Sequence, residues 1–264
     1  MFRAENISYS AGGKTILKDI SLDVVPGEIT AIVGANGAGK SSLLRILSGE
    51  RAPTYGRVTL DGNDIAELSH KKLARRRAVL SQFTDLRFPF TGVEVVLLGR
   101  NPHIQGGESK LDRRIAIEAL EVVEALHLMD RRIDVMSGGE RQRIHLARVL
   151  AQIWTEREEE SRYLFLDEPT SSLDIAHQHL TLEIAERFAA NGLGVVVILH
   201  DLNLVSRYAD RVLVLKNGQV RAMGAPAENL TSAVIEEVFE VSSVVVDIPG
   251  GSGAPLIVPF SRIK

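Results

Sequence analysis

No cysteine occurs in the sequence, so disulfides and thiol chemistry are excluded, as a reducing compartment would favour. No apolar run approaches the roughly 20 residues that span a bilayer, and the opening Met-Phe-Arg-Ala-Glu lacks the apolar core of a signal peptide. A strong charge is missing too. The formal net charge of -3 and the pI near 6.2 supply no general field for nucleic acid or anionic lipid, and no nucleic-acid partner is expected. Lys71 to Arg77 is the only dense basic patch, and there is no internal repeat. What remains is an ordinary globular composition, 45% hydrophobic and 25% charged over 264 residues, enough for one large domain or two coupled lobes.

Gly34-Ala35-Asn36-Gly37-Ala38-Gly39-Lys40-Ser41-Ser42 matches G-x-x-x-x-G-K-[ST] in the required context. The apolar run Ile29 to Val33 reads as a buried strand before it, and Ser41 to Leu47 reads as a helix ended by Gly49. Glycines let the backbone wrap a phosphate closely. The amides that open the helix carry about half a positive charge toward it. Lys40 is then expected on the β- and γ-phosphates, and Ser41 on Mg²⁺, which takes few protein ligands.

Phe2 to Leu22 alternates around Gly12-Gly13 and predicts a hairpin beside the strand that feeds this loop. Tyr9 on it is either an aromatic for an adenine ring or a plain half-buried tyrosine. Arg57 to Leu60 predicts a short strand, Leu68 to Arg77 a basic helix, and Val79 to Ser81 a strand that delivers Gln82 at its carboxyl end. Phe88, Pro89 and Phe90 are more apolar than a loop needs; an internal cluster and a docking surface are both open. Thr91 to Glu94 is a capping box for a helix ended by Gly99, Leu111 to Leu128 a longer helix, and Ser137-Gly138-Gly139-Glu140 a capping box for a third. Two glycines at that entry suggest close approach by a backbone or a phosphate. Trp154 to Arg162 reads as a charged surface insertion.

Tyr163 to Asp167 predicts a buried strand ending in two adjacent carboxylates, Asp167 and Glu168. Burial of each costs several kcal/mol unless compensated. Beside a phosphate-binding loop, Mg²⁺ and water compensate them: Asp167 for the metal's water shell, Glu168 for the attacking water. Ser171 to Asp174 leads into a helix Ile175 to Ala190. Val195 to Leu199 then predicts a parallel strand presenting His200 level with Glu168. His177 and His179, two apart on a helix, point to nearly opposite faces. Val212 to Val214 and Val220 to Met223 flank a type I′ turn at Asn217-Gly218, Ser232 to Phe239 predicts a helix, and Val244 to Ile248 with Leu256 to Pro259 a last hairpin.

Taken together these stretches resemble an ATP-binding cassette subunit over essentially the whole chain. Gly34 to Ser41 is similar to that family's Walker A, Gln82 to its Q-loop, Ser137 to Glu140 with Arg141 and Gln142 to its signature, and Tyr163 to Glu168 to its Walker B and catalytic glutamate. Ser171 to Asp174 resembles the D-loop, His200 the switch histidine and Tyr9 the adenine-stacking aromatic; Met136 departs from the usual leucine. The resemblance implies an α/β fold: a P-loop NTPase (RecA-like) core sheet, an antiparallel β subdomain and a helical signature subdomain. It implies one cassette of 264 residues, its core and β lobe at 1–82 and 162–264 and its helical lobe at about 83–161. It also implies ATP and Mg²⁺ as ligands, with Ser41, Gln82 and Asp167 on the metal, and a head-to-tail homodimer in which the Ser137 to Gly139 segment meets the ATP of the other copy. A transmembrane permease dimer would dock near Phe88 to Glu94 at the cytoplasmic face of the cell membrane, with a periplasmic or extracellular binding protein as indirect partner. Within the family the likeness is to importers of iron chelates, cobalamin and haem, with haem as the implied cargo and ferric siderophore or cobalamin as alternatives. A non-transport cassette ATPase and an ATP-regulated scaffold are the competing readings. The first would need coiled-coil insertions or twin cassettes, and Glu168 with His200 disfavours the second.

Overall fold

The structure, a computed structural model, describes residues 1–82, 88–154, 160–171, 173–247 and 254–262. Phe83 to Arg87, the middle of the expected insertion after Trp154, Ser172 and the Ile248 end of the last hairpin lie outside the described residues.

The chain opens with β1 (Phe2–Ala11), β2 (Lys14–Val24), β3 (Ile29–Gly34) and α1 (Lys40–Leu47), then β4 (Tyr55–Leu60), β5 (Asn63–Asp64), α2 (His70–Arg76) and β6 (Arg77–Leu80). Three helices follow, α3 (Gly92–Leu98), α4 (Lys110–Val122) and α5 (Gly138–Ile153). The rest is β7 (Arg162–Asp167), α6 (Ile175–Ala190), β8 (Leu193–Ile198), α7 (Leu202–Tyr208), β9 (Arg211–Lys216), β10 (Gln219–Gly224), α8 (Pro226–Asn229), α9 (Ser232–Phe239), β11 (Val241–Val246) and β12 (Leu256–Arg262).

Every residue of β3 and β8 is buried, which is how a strand covered on both faces by helices reads in sequence. These strands form the middle of a six-stranded sheet in the order β10-β9-β3-β8-β7-β6, parallel except for the edge strand β10. Parallel register aligns Leu80 with Leu166, Asp167 with Ile198 and Ile198 with Ile32. The carboxyl ends of β6, β7, β8 and β3 therefore emerge on one edge, where ligands collect in such sheets.

The β1–β2 hairpin does not lie in that sheet, as its sequence suggested. It joins β4 and β5 in a separate antiparallel sheet, order β2-β1-β4-β5, because the free edge of β1 is taken by β4 from Phe2 opposite Leu60 onward. The two sheets enclose α1: Ile7, Leu17 and Ile20 of the small sheet, Leu43, Leu44 and Leu47 of the helix and Ile32, Phe165 and Ile198 of the large one share a core. Phe2 meets Tyr163 and Phe165 edge-on, with ring centroids 4.7 and 5.6 Å apart.

On the other face α3, α4 and α5 pack together and against β6. Their N-termini are closed by capping boxes at Thr91–Glu94, Ser109–Asp112 and Ser137–Glu140. Helix α4 stops at Val122, short of the expected Leu128. Glu124 turns left-handed (φ 54°), and the bonds Glu124 N–H to Glu121 O and Ala125 N–H to Leu120 O form a Schellman cap in which a glutamate occupies the usual glycine position. Helix α5 is closed by Arg100, which donates to Ala151 O (2.6 Å) and Trp154 O (3.0 Å) while pairing with Asp112 at 3.0 Å. Trp154 is no solvated insertion residue, since its ring packs edge-on against Phe188 at 5.8 Å. Among the described residues no helix is long and apolar enough to cross a membrane.

Candidate nucleotide site

Between β3 and α1 the chain must reverse within a few residues, hence the left-handed glycines. Gly34 has φ 153°, and a Cβ there would lie 2.4 Å from Leu215 O on β9, so only glycine lets the loop leave β3 at this point. The loop returns through the Ala38 N–H to Ala35 O bond (3.1 Å) into the first turn of α1, whose leading residue is Lys40.

Lys40 is 6% exposed and folds back over the loop, with Nζ donating to Gly34 O (2.9 Å) and Ala35 O (3.1 Å). Burial pushes its ammonium pKa down, opposed by the nearby Glu168 and Asp167 carboxylates. Ser41 Oγ donates to Asp167 Oδ1 at 3.2 Å. Burial pushes the Asp167 carboxyl up; the Ser41 hydrogen bond opposes this and the negative Glu168 adds to it. This corner concentrates hard oxygen donors and negative charge, the environment a divalent cation relieves. Among the described residues no group of three or more His, Cys, Asp or Glu gathers to hold a metal unaided. Such a sparse donor set fits Mg²⁺ shared with phosphate oxygens, rather than an all-protein cage.

Glu168 sits just past β7 with φ 52°, in the left-handed region. The Ser171 amide and hydroxyl both donate to its carbonyl, at 3.2 and 2.9 Å. Its carboxylate accepts from Gln82 Nε2 at 2.6 Å and pairs with His200 Nε2 at 2.7 Å. Gln82 follows β6 and His200 follows β8, so strand register brings three distant residues into one contact. Lys14, Thr15, Ile16, Asn36, Gly37, Gly39, Lys40, Ser41, Ser42, Glu168 and Asn217 line a cavity of about 710 Å³ at this edge.

Tyr9 is absent from that lining, and the expected stacking on adenine is corrected. The residue is 9% exposed within the core around α1, its hydroxyl accepts from Arg51, and the Arg51 guanidinium lies 5.2 Å over its ring. The residues that sequence reading missed are Lys14, Thr15, Ile16 and Asn217. Their only sequence signal was a hairpin and an Asn-Gly turn, which report backbone shape and nothing about the side chains.

Ser137 and Gly138 are exposed at the start of α5 and do not line their own chain's cavity, while Ser137 and Glu140 cap each other's amides. The second turn of α5 is tied to the segment after Glu168: Gln142 Nε2 donates to Pro169 O, and Arg143 contacts His177 Nε2. Asp174 caps α6, accepting from His177 N–H (2.9 Å) and Nδ1 (2.8 Å). His177 therefore sits between Asp174 and Arg143, with one ring nitrogen toward each. His179 pairs instead with the Tyr208 hydroxyl at 2.6 Å, and the two histidines share no partner.

A buried lysine and a half-buried serine at a glycine-rich helix entry, facing paired carboxylates across a parallel sheet, define a P-loop nucleoside triphosphatase. The chain belongs to the ABC transporter family, whose sequence profile matches residues 17–171. It is 46% identical over 260 residues, 98% of this chain and 94% of the relative, to the hemin import ATP-binding protein HmuV of Gloeobacter violaceus. Among solved structures it resembles an inward-facing ABC transporter of the metal-chelate type (TM-score 0.79, 27% identity, covering 98% of this chain and 97% of that one). It also resembles a dimeric bacterial ABC transporter cassette (TM-score 0.74, 28% identity, 86% and 99% covered).

Proposed function

We propose that this chain is the ATP-hydrolysing subunit of a membrane importer and that the cargo is haem. The observation that carries the reading is one cavity lined by Lys40, Ser41 and Glu168, with Asp167 bonded to Ser41 and with Gln82 and His200 bonded to Glu168, in a chain similar over nearly its full length to hemin import ATP-binding proteins. The amides of Asn36 to Ser41 and the Lys40 ammonium hold the β- and γ-phosphates. Ser41, Asp167 and Gln82 are the donors suited to Mg²⁺, which when bound neutralises charge between those phosphates. Glu168, aimed by Gln82 and His200, orients the attacking water and takes its proton; His200 supports charge on the γ-phosphate side. Electrostatic positioning is the main contribution, as in phosphoryl transfer generally.

The functional unit is a homodimer. Ser137 to Gly139 of one copy complete the ATP site of the other, and Asp174 stands beside that junction. The helical lobe expected at about 83–161 meets a permease dimer through Phe88 to Glu94. Phe88 is 69% exposed, while Phe90, 6.0 Å from it between ring centroids, packs on the core, which suits an anchored apolar docking point. The subunit is then held at the cytoplasmic face of the membrane through that permease, and a substrate-binding protein acts on the opposite face.

The test is transport in membrane vesicles containing this subunit and its permease. ATP-dependent haem accumulation is expected, abolished by Lys40→Ala. Accumulation of a ferric siderophore or cobalamin in place of haem refutes the cargo. Absence of Mg²⁺-dependent ATP hydrolysis by the purified complex refutes the enzyme reading.

A further inference from the structure

His200 lies in a bend between β8, which ends at Ile198, and α7, which begins at Leu202. Its side chain is 49% exposed. With that much of the ring in water, the position of Nε2 beside Glu168 depends on the two flanking elements. Strand β8 is fixed in the middle of the large sheet. Helix α7 spans only seven residues, Leu202–Tyr208, too few to be stable alone, so whatever steadies it also steadies the histidine.

The first turn of α7 is capped locally, by Asp201 accepting from Asn203 N–H at 2.8 Å and Leu204 N–H at 3.3 Å. Its side is gripped by the C-terminal hairpin β11–β12, which pairs with neither of the other sheets. Asn203 Nδ2 donates to Ile257 O at 3.1 Å, and Asn203 Oδ1 accepts from Ile257 N–H at 2.7 Å. In an antiparallel ladder the N–H and C=O of one residue point to the same side, so this amide takes the place of a neighbouring strand along the edge of β12. Ser206, 8% exposed, donates its hydroxyl to Pro255 O at 2.7 Å. Residues three apart share a helix face, so both grips lie on one side of α7. Ile257 itself is 3% exposed, in the core that contains Leu204 and Val205. A primary amide supplies one donor and one acceptor side by side. A carboxylate would set an oxygen against Ile257 O, and an alkyl group would leave both backbone groups without their partner.

We propose that Asn203 and Ser206 are positioning residues for hydrolysis: through them the β11–β12 hairpin clamps α7 and holds His200 on Glu168. The inference rests on the ATPase reading above and gives the C-terminal hairpin a part in turnover. No described residue of the hairpin lines the nucleotide cavity, so its influence passes through α7 rather than through contact with the nucleotide. Lys40 and the phosphate loop lie outside the clamp, so loosening it changes the rate and leaves ATP binding in place.

A double-mutant cycle on the full chain tests it, with single-turnover hydrolysis and ATP affinity both measured well below the melting temperature of every variant. Asn203→Leu, which removes both bonds to Ile257, is expected to slow hydrolysis about tenfold and to keep ATP affinity within about twofold. In a His200→Ala background the same change should slow the residual rate by less than about twofold, because a group that acts through His200 has nothing left to position. Ser206→Ala is expected to give the same pattern at about threefold, and it decides the question where Asn203→Leu does not fold. Equal losses in both backgrounds, a fall in ATP affinity that matches the fall in rate, or an unchanged rate in both variants would overturn the clamp and leave the ATPase reading in place. Wild-type protein without Mg²⁺-dependent hydrolysis would overturn that reading itself.

Discussion

Replacing Glu168 by glutamine removes a base while nearly preserving its outline, so it separates chemistry from structure. The carboxylate accepts from Gln82 Nε2 and pairs with His200 Nε2, at 2.6 and 2.7 Å. An amide presents one acceptor oxygen, so the variant keeps one of these contacts and sets its own N–H₂ against the other donor. The structural cost is one hydrogen bond, about 0.5 to 1.5 kcal/mol, or a few degrees in Tm for a chain of this size. Loss of a general base costs about 10²- to 10⁴-fold in rate, equivalent to about 2.7 to 5.5 kcal/mol of barrier. Binding of ATP should survive, because Lys40 and the phosphate loop are untouched, and loss of one negative charge near the γ-phosphate removes repulsion. With hydrolysis stalled, the proposed shared site would keep the γ-phosphate between Lys40 of one copy and the Ser137 to Gly139 helix start of the other, so the variant should accumulate as an ATP-dependent dimer. Single-turnover kinetics, light scattering with and without Mg²⁺-ATP and a melting curve read the three quantities. A variant that stays monomeric with ATP bound at high concentration, while Ser137→Arg leaves wild-type turnover unchanged, would refute the shared-site mechanism. A Tm drop beyond about 10 °C would show that Glu168 is chiefly structural.

His200→Ala should bind ATP nearly normally and hydrolyse it about 10²- to 10³-fold more slowly, since Glu168 loses the Nε2 partner that aims it; single-turnover rates near wild type would make His200 structural. Phe88→Ala should weaken co-purification with the permease without moving Tm, whereas Phe90→Ala, on the core side, should lower Tm by several degrees; the reverse pattern would sink the docking assignment. His145 is 6% exposed with no hydrogen-bond partner for Nδ1 among the described residues, and its pKa is lowered from 6.5 to about 4 by burial first and then by Arg148 and Arg141. The unfolded chain therefore binds the extra proton first. Stability present in full above pH 6.5 should be lost as pH falls toward about 4, roughly 2 kcal/mol of it by pH 5, and urea unfolding of His145→Gln at pH 7 and pH 5 should lack that component. Parallel losses in both proteins would refute the assignment.

The sequence revealed the elements whose signals are local and redundant. The glycine-rich turn with its flanks, the capping boxes at Thr91–Glu94 and Ser137–Glu140, the fully apolar strands and the Asn217-Gly218 turn each announce themselves within a few residues. It was less informative where pairing partners or backbone irregularity decide. Nothing in Phe2 to Leu22 says that β1 will pair with β4 and leave β3 to another sheet. Helix α4 ends on a left-handed glutamate, so the usual glycine stop was missing. Tyr9 was misassigned for the same reason: which face of a hairpin points at a ligand depends on register, and β1 carries irregularities on both sides of that residue. The catalytic corner was legible because parallel register converts strand ends into neighbours, so four separate strand termini could be placed on one edge without knowing any contact.

The left-handed backbone at Glu168 bears on how this protein can be engineered. A non-glycine residue held at φ 52° costs on the order of 1 to 3 kcal/mol, and the Ser171 bonds to its carbonyl help hold it there. Glycine or asparagine would sit there with less strain. A library ranked by expression level or heat resistance should therefore enrich those two residues at 168, scoring as an improvement a change that removes the proposed base. On that proposed role, selection for folding and selection for work point in opposite directions at this position, so any stabilised version of this subunit has to be screened on hydrolysis as well as on survival of heating.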